Sequence, residues 1–130
     1  MNKKGVALLL ALFTLIIISL LLISFLELTT TDLQIVSNHL TRDEALYIAD
    51  AGVEYAVSQL RNNKNWQVSN ETTPFPSGSS NTYAVTYPVD SGIIRSTGRL
   101  ITGGQVTLEV KVSVTGNAPY KVKIIYYREL

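Results

Sequence analysis

The most constraining feature of this chain is an uncharged stretch of 21 residues, Val6 to Leu26, close to its N-terminus. Its only polar members are three hydroxyl residues, Thr14, Ser19 and Ser24, and such hydroxyls can bond back to helix carbonyls. At a rise of 1.5 Å per residue the stretch is about 31 Å long as a helix, which matches the hydrocarbon core of a bilayer. The sequence therefore predicts a transmembrane helix over residues 6–26.

The charges on either side of this stretch predict its orientation. Lys3 and Lys4 precede it, Glu27 and Asp32 follow it, and the next basic residue is Arg42. The positive-inside rule then places the N-terminus in the cytoplasm and everything after Glu27 outside the cytoplasmic membrane. A secretory signal peptide is the alternative, but the stretch exceeds a typical apolar signal region and no A-x-A cleavage site follows it.

No helix-breaking residue ends the helix at the end of the apolar stretch. From Glu27 to about Asn62 there is no proline, and Gly52 is the only glycine. Apolar residues recur three and four positions apart, first at Leu33, Val36 and Leu40 and then from Leu46 to Leu60. We therefore expect one continuous helix to about residue 62, apolar all round in its first half and amphipathic in its second.

The C-terminal half has the pattern of an antiparallel sheet. Residues 63–81 are rich in Asn, Ser, Thr and Pro and are interpreted as a loop. Four strands are predicted, at 83–89, 93–102, 105–115 and 120–128, with a two-residue hairpin turn at Gly103-Gly104. Strict alternation in the third of these strands indicates one buried face, which the amphipathic half-helix can cover. The predicted fold is α+β, a long N-terminal helix packed on a four-stranded antiparallel meander, with a head spanning 27–130.

Composition excludes several classes of function. The chain has no cysteine and one histidine, which removes disulfide frameworks, thiol nucleophiles, Cys-ligated zinc and multi-histidine metal sites. The net charge of +1 supports no whole-chain argument for nucleic-acid binding. No nucleophile-elbow sequence or acid–base constellation is present. We therefore expect no catalytic, metal-binding or cofactor-binding residues.

Three segments resemble the type IV pilin and pseudopilin superfamily. Lys3-Lys4-Gly5, followed at once by the apolar run, looks like a prepilin leader. The stretch from Ala45 to Glu54, ALYIADAGVE, is similar to the AxxxAEAGLE-like segment of PilX-type minor pilins, and Ser96-Thr97-Gly98 resembles their STG element. The resemblance covers the first 60 residues well and the sheet loosely.

The resemblance implies a processed subunit of a filament. Residues 1–5 would be a leader that a prepilin peptidase cuts between Gly5 and Val6, followed by N-methylation. The mature protein would be stored in the cytoplasmic membrane by its transmembrane half, 6–26. An assembly platform would then add it, beside other pilin subunits, to an extracellular or periplasmic filament.

Two positions depart from the family pattern. Val6 stands where most pilins carry Phe, and Leu10 stands where major pilins carry Glu, at the fifth mature position. In that family the Glu is thought to pair with the N-terminal amine of a neighbouring subunit, and a buried charge without a partner is costly. The missing acid implies a minor subunit that acts in filament initiation, at the tip or in assembly.

A strip of small residues follows the second half of the predicted helix, spaced four, three and four positions apart: Ala45, Ala49, Gly52 and Ala56. At about 100° per residue these positions fall within about 60° of one another. A strip without bulk lets another backbone approach closely. It packs either on the sheet of the same chain, under Gly98 and Ser96, or on another helix in a filament.

The acids on one side of the helix and the bases on the sheet can have one of three roles. The acids are Asp43, Asp50 and Glu54, on one side of the helix beside Tyr47, and the bases are Arg95, Arg99, Lys111, Lys121 and Lys123, predicted on the solvent face of the sheet with Glu109. Both sets can be solvated surface, or they can be complementary patches of a head-to-tail interface. The basic face can also bind DNA or another polyanion, with Tyr127 on the same face.

Two functions besides a filament subunit stay open at this point. One is a binding module displayed at the cell surface that captures DNA or adheres to a surface. The other is an uncleaved single-span protein anchored as part of a larger complex. An uncut N-terminus would separate this last alternative from a pilin.

Overall fold

The computed structural model describes residues 2–130, and for Val89 it describes the backbone alone. Helix α1 runs from Lys3 to Asn62. Five strands follow it: β1 Val68–Pro74, β2 Thr82–Tyr87, β3 Ile93–Arg99, β4 Gln105–Thr115 and β5 Lys121–Glu129. The fold is α+β, as predicted, with the helix boundary at residue 62 confirmed.

The chain divides into two compact units, of which the first ends at Asn38. Its large apolar side chains between Leu8 and Leu26 are all exposed, by 42% to 73%. Each hydroxyl in this stretch hydrogen-bonds to a carbonyl one turn earlier in the helix, as Ser19 does to Leu15 at 2.8 Å. These three hydroxyl groups are thereby satisfied inside the helix, as a bilayer requires. By length and composition this segment could span a membrane.

The second unit, His39–Leu130, contains the rest of the helix and the whole sheet. The strands follow one another in the order β1-β2-β3-β4-β5, and every neighbouring pair is antiparallel. Helix residues spaced three and four apart are buried on one face of the sheet: Ala45, Ile48, Ala49, Gly52, Val53, Ala56, Val57 and Leu60. We call this the helix face of the sheet and the opposite side the open face.

The sheet has five strands, so the prediction of a four-stranded meander is wrong by one strand. The additional strand, β1, lies inside the predicted loop 63–81. Its sequence, VSNETTP, has no apolar alternation, because β1 is an edge strand whose side chains are mostly exposed. Its backbone pairing with β2, interrupted by a bulge between Ser69 and Glu71, is what makes it a strand.

Two predicted strand ends are also wrong. The strand predicted at 83–89 ends at Tyr87, and Val89 opens a 3-10 turn. The strand predicted at 93–102 ends at Arg99, and residues 100–104 form the turn into β4. In that turn the amide of Leu100 donates to the carbonyl of Gly104 at 2.8 Å, and Leu100 is buried. The turn therefore spans residues 100–104 and is longer than the predicted Gly-Gly hairpin.

A bulge in β5 changes which of its side chains share a face. Val112 pairs with Ile124, but Lys111 pairs with Tyr126, so Ile125 is left without a partner in the ladder. Strand alternation therefore shifts by one residue at this point. Tyr127 and Glu129 lie on the helix face, and Tyr126 and Arg128 lie on the open face. The prediction that Tyr127 lies on the basic face is wrong.

Candidate functional site

The small-residue strip packs on the sheet of its own chain. Ala45, Ala49 and Ala56 have no exposed surface, and Gly52 is also buried. A Cβ atom at Gly52 would overlap the Oγ of Ser96, and one at Gly98 would lie 2.6 Å from the backbone nitrogen of Ala49. Both glycines are therefore required by close approach of helix and sheet.

The Ser96-Thr97-Gly98 segment is divided between the two faces of the sheet. Ser96 is fully buried on the helix face, and its hydroxyl donates to the carbonyl oxygen of Ala49 at 2.6 Å. Thr97 lies on the open face, where its Oγ1 lies 3.0 Å from that of Thr107. The segment thus contacts the helix through Ser96 on one face and pairs a hydroxyl group with Thr107 through Thr97 on the other.

An aromatic cluster packs the residues at the two ends of β1 against the helix and against β2. Trp66 stacks on Tyr87 with ring centroids 6.0 Å apart and meets the ring edge of Tyr55 at 6.1 Å. Phe75, at the other end of β1, packs against Tyr83 at 6.2 Å. Aromatic pairs at such distances contribute beyond their buried area. The cluster explains how a polar edge strand is held in place.

The predicted interface acids differ in the contacts that they make within the chain. Asp50 accepts a hydrogen bond of 2.9 Å from the hydroxyl of Tyr127 on β5. Burial, together with this hydrogen bond, raises the pKa of Tyr127 well above its ordinary value. Asp43 and Glu54 are exposed on the helix. Sequence reasoning missed the Asp50–Tyr127 contact because it depends on the bulge at Ile125.

The predicted bases do share one surface. Strand pairing places all five on the open face, together with one that the sequence reasoning missed: Arg95, Arg99, Lys111, Lys121, Lys123 and Arg128. Glu109 is the one acid on this face among the described residues, which gives the face a formal charge of +5. The rest of the second unit carries three bases and seven acids, a formal charge of −4. Charge is thus strongly separated between the open face and the rest of the head.

Glu109 is the centre of the open face and is buried by its own partners, with 1% of its surface exposed. Its Oε2 accepts from Arg95 Nε at 3.0 Å, and its Oε1 accepts from Arg128 Nη2 at 2.6 Å and from the hydroxyl of Tyr126 at 3.0 Å. The Arg95 guanidinium, with Tyr126 and Arg128, holds the pKa of Glu109 below its ordinary value. Its place in an alternating strand predicted a solvent-facing acid, but the cross-strand arginines cover it.

The other four bases of the open face are not neutralised. Within the described part of the chain, Arg99, Lys111, Lys121 and Lys123 form no ion pair. The two arginines bound to Glu109 also keep about 60% of their side-chain surface exposed. The open face therefore presents positive charge that the chain itself does not compensate.

The residues of the predicted leader lie at the start of α1. Lys3, Lys4, Gly5 and Val6 are helical, and a Cβ atom at Gly5 would have no described atom within 4 Å apart from its chain neighbours and the backbone of its own helix. Leu10 is 59% exposed. The structure shows where these residues lie, and their roles in processing and assembly stay predictions.

In residues 2–130, as far as they are described, no group of three or more His, Asp or Glu side chains could hold a metal ion. His39 is exposed on the helix. Comparisons of the chain with known protein families, with curated proteins and with solved structures found no match.

Proposed function

We propose that this chain is a minor pilin or pseudopilin, a structural subunit of a type IV pilus-like filament. The observation that carries the proposal is the single helix Lys3–Asn62. Its uncharged segment directly follows two lysines, and its later part packs on an antiparallel meander. In the proposed subunit, this one helix would connect the leader, the membrane anchor and the folded head.

The exposed apolar surface of the helix supports a role in assembly. The large side chains between Leu8 and Leu26 are exposed in the described structure and need apolar surroundings. The bilayer supplies these surroundings before assembly, with the head outside the cytoplasmic membrane. In a filament, the helices of neighbouring subunits would replace the lipid.

Leu10 favours a minor subunit over a major one. A neighbour's N-terminal amine in the apolar interior of a filament would meet a leucine side chain instead of a carboxylate. Charges in such surroundings are stable only when paired. The subunit would therefore enter at an end or in an initiation complex, where one side is free of such a neighbour.

Mass spectrometry of the intact protein from its own cell tests the proposal. We expect a chain that begins at Val6, with or without one added methyl group. Gly5→Leu should block cleavage, while the matched control Gly5→Ala keeps a small residue at the site. Both substitutions point into open space among the described residues, so a loss of cleavage would reflect the peptidase site.

An intact Met1 in the wild-type protein would contradict the proposal. That result would favour the alternative of an uncleaved, single-span subunit of a membrane complex. Normal cleavage of Gly5→Leu would also contradict the leader hypothesis. The hypothesis requires a peptidase that accepts only a small residue at position 5.

A further inference from the structure

The six bases of the open face form a line along the sheet. Pairing with β4 places Arg99 opposite Gln105 at one end and Lys121 opposite Thr115 at the other. At about 3.4 Å per residue, this line is roughly 34 Å long. The bases come from three adjacent strands, β3 to β5, so the line is narrow. Such a surface fits an extended anion better than a compact one.

Most acids of the head outside the open face are poor partners for this surface. Several on the opposite side of the head are already engaged: Asp50 with Tyr127, Glu129 with Arg42, Glu71 with Tyr55 and Glu44 with Asn81. A second copy would have to give up these contacts, or neutralise a face of formal charge +5 with the other acids of the head, Asp43, Glu54 and Asp90. An external polyanion carries no such cost.

The open face favours a duplex over a single strand. Proteins that bind single-stranded nucleic acid present aromatic platforms for the bases. Tyr126 is the aromatic residue that the described strands place on this face, and it is half-buried beside Arg128 with its hydroxyl on Glu109. Hydroxyl residues such as Thr97 and Thr107 lie between the bases, and hydroxyl groups contact phosphates in duplex complexes.

Glu109 holds the side chains of two arginines in positions from which they can bind a phosphate group. It fixes Arg95 through Nε and Arg128 through Nε and Nη2, while both side chains stay about 60% exposed. The remaining N–H donors of each guanidinium are free for an oxyanion. Fixing these side chains in advance lowers the entropy lost on binding.

We propose that the open face binds the phosphate backbone of double-stranded nucleic acid without reading its sequence. The line of bases is about as long as one turn of the duplex. Binding goes beyond the filament role and does not depend on it, since it requires no cleavage at Gly5. The two proposals therefore fail on different measurements.

The test uses the full chain in micelles of an uncharged detergent and a labelled duplex of about 20 base pairs, longer than one helical turn. Fluorescence anisotropy gives the affinity between about 50 and 200 mM salt. Lys121→Gln with Lys123→Gln removes two exposed bases that have no ion pair. The matched control, Arg61→Gln with Lys64→Gln, removes two exposed bases outside the open face.

We expect the Lys121/Lys123 variant to bind about tenfold more weakly, with a slope of log affinity against log salt smaller by about 2. The control should change affinity less than about twofold. Trp66, the one tryptophan of the chain, reports by its fluorescence that both variants are folded. Arg95 and Arg128 are left intact, because their loss would leave Glu109 buried without its charge partners.

Several outcomes would overturn the inference. These are absence of duplex binding at the lowest salt, an equal loss in the control, and tighter binding of a single strand of the same length. Association of the wild-type protein with itself that the Lys121/Lys123 variant abolishes, without any duplex binding, would assign the face to a second copy. Binding to anionic vesicles but not to the duplex would assign it to a membrane surface.

Discussion

The hydroxyl of Ser96 donates a hydrogen bond of 2.6 Å to the carbonyl oxygen of Ala49, inside the seam where the helix packs on β3. Both residues have no exposed surface. Gly52 and Gly98 lie beside this bond, and neither has room for a side chain. Small residues on both elements therefore allow the helix and β3 to approach closely. The hydroxyl of Ser96 then forms a hydrogen bond with the helix carbonyl that it faces in this seam.

Gly98→Ala should be the most damaging small substitution in this seam. Its methyl group would meet the backbone of Ala45 and Ala49, which cannot move without shifting the helix. We expect a loss of about 3 kcal/mol in the free energy of unfolding. Urea unfolding followed by Trp66 fluorescence measures it, with the exposed Ser58→Ala as a control that should change stability by less than about 0.5 kcal/mol. An equal effect of the two substitutions would contradict close packing at Gly98.

Gly52→Ala should depend on the residue at position 96. The added methyl group overlaps the Oγ of Ser96, and Ser96→Ala removes that atom together with its hydrogen bond. In a double-mutant cycle we expect the double variant to lose less stability than the two single variants together, by at least about 0.5 kcal/mol. Additive effects would mean that the ring of Tyr83, 3.0 Å from the same methyl position, sets the cost.

The sequence predicts those parts of the fold that repeat. Helical spacing from Ala45 to Leu60 and strict alternation in β4 identify the buried faces of both elements, and the structure confirms the α+β fold. The strip from Ala45 to Ala56 also lies against Ser96 and Gly98, one of its two predicted positions. Periodic patterns succeed because burial on one face acts on every turn or every second residue.

The parts that the sequence does not predict depend on contacts with another strand. β1 is polar, so only its pairing with β2 identifies it. The bulge at Ile125 leaves no mark in the pattern, yet it moves Tyr127 to the helix face and Arg128 to the open face. The burial of Glu109 follows from the same shift, because Arg128 and Arg95 meet it from the neighbouring strands.

Glu109→Gln should change how the stability of the fold depends on pH. Hydrogen bonds from Arg95, Tyr126 and Arg128 lower the pKa of Glu109 from its ordinary 4.5. The charged carboxylate therefore stabilises the fold above pH 4.5, and this contribution is lost as the pH falls through the lowered pKa. Wild-type and variant urea midpoints should differ most at neutral pH and converge in acid. A constant difference at all pH values would contradict the pairing, and Glu54→Gln, on an exposed residue of the helix, is the matched control.

Tyr127→Phe should act at the opposite end of the pH range. Burial and the hydrogen bond to Asp50 raise the pKa of Tyr127 above its ordinary 10.0, so the folded chain holds a proton that the unfolded chain releases. This contribution is complete below pH 10 and is lost as the pH rises above it. The variant should therefore lose less stability between pH 10 and 11 than the wild type, in thermal unfolding. Tyr120→Phe, on a residue whose hydroxyl has no hydrogen bond within the described structure, is the matched control.

Leu10→Glu tests the proposed place of the subunit in a filament. The substitution would give the amine of a neighbouring subunit a carboxylate partner and should permit incorporation along the shaft. Glu inside the bilayer costs a few kcal/mol before assembly, so the amount of membrane-inserted protein must be measured alongside. Leu10→Gln is the matched control, because it is polar but cannot neutralise an amine. Counting of labelled subunits along isolated filaments should show rare or terminal label for the wild type and Leu10→Gln, and label along the shaft for Leu10→Glu. Dense label along the shaft for the wild type would show that the missing acid does not restrict this subunit, and the assignment as a minor subunit would then be wrong.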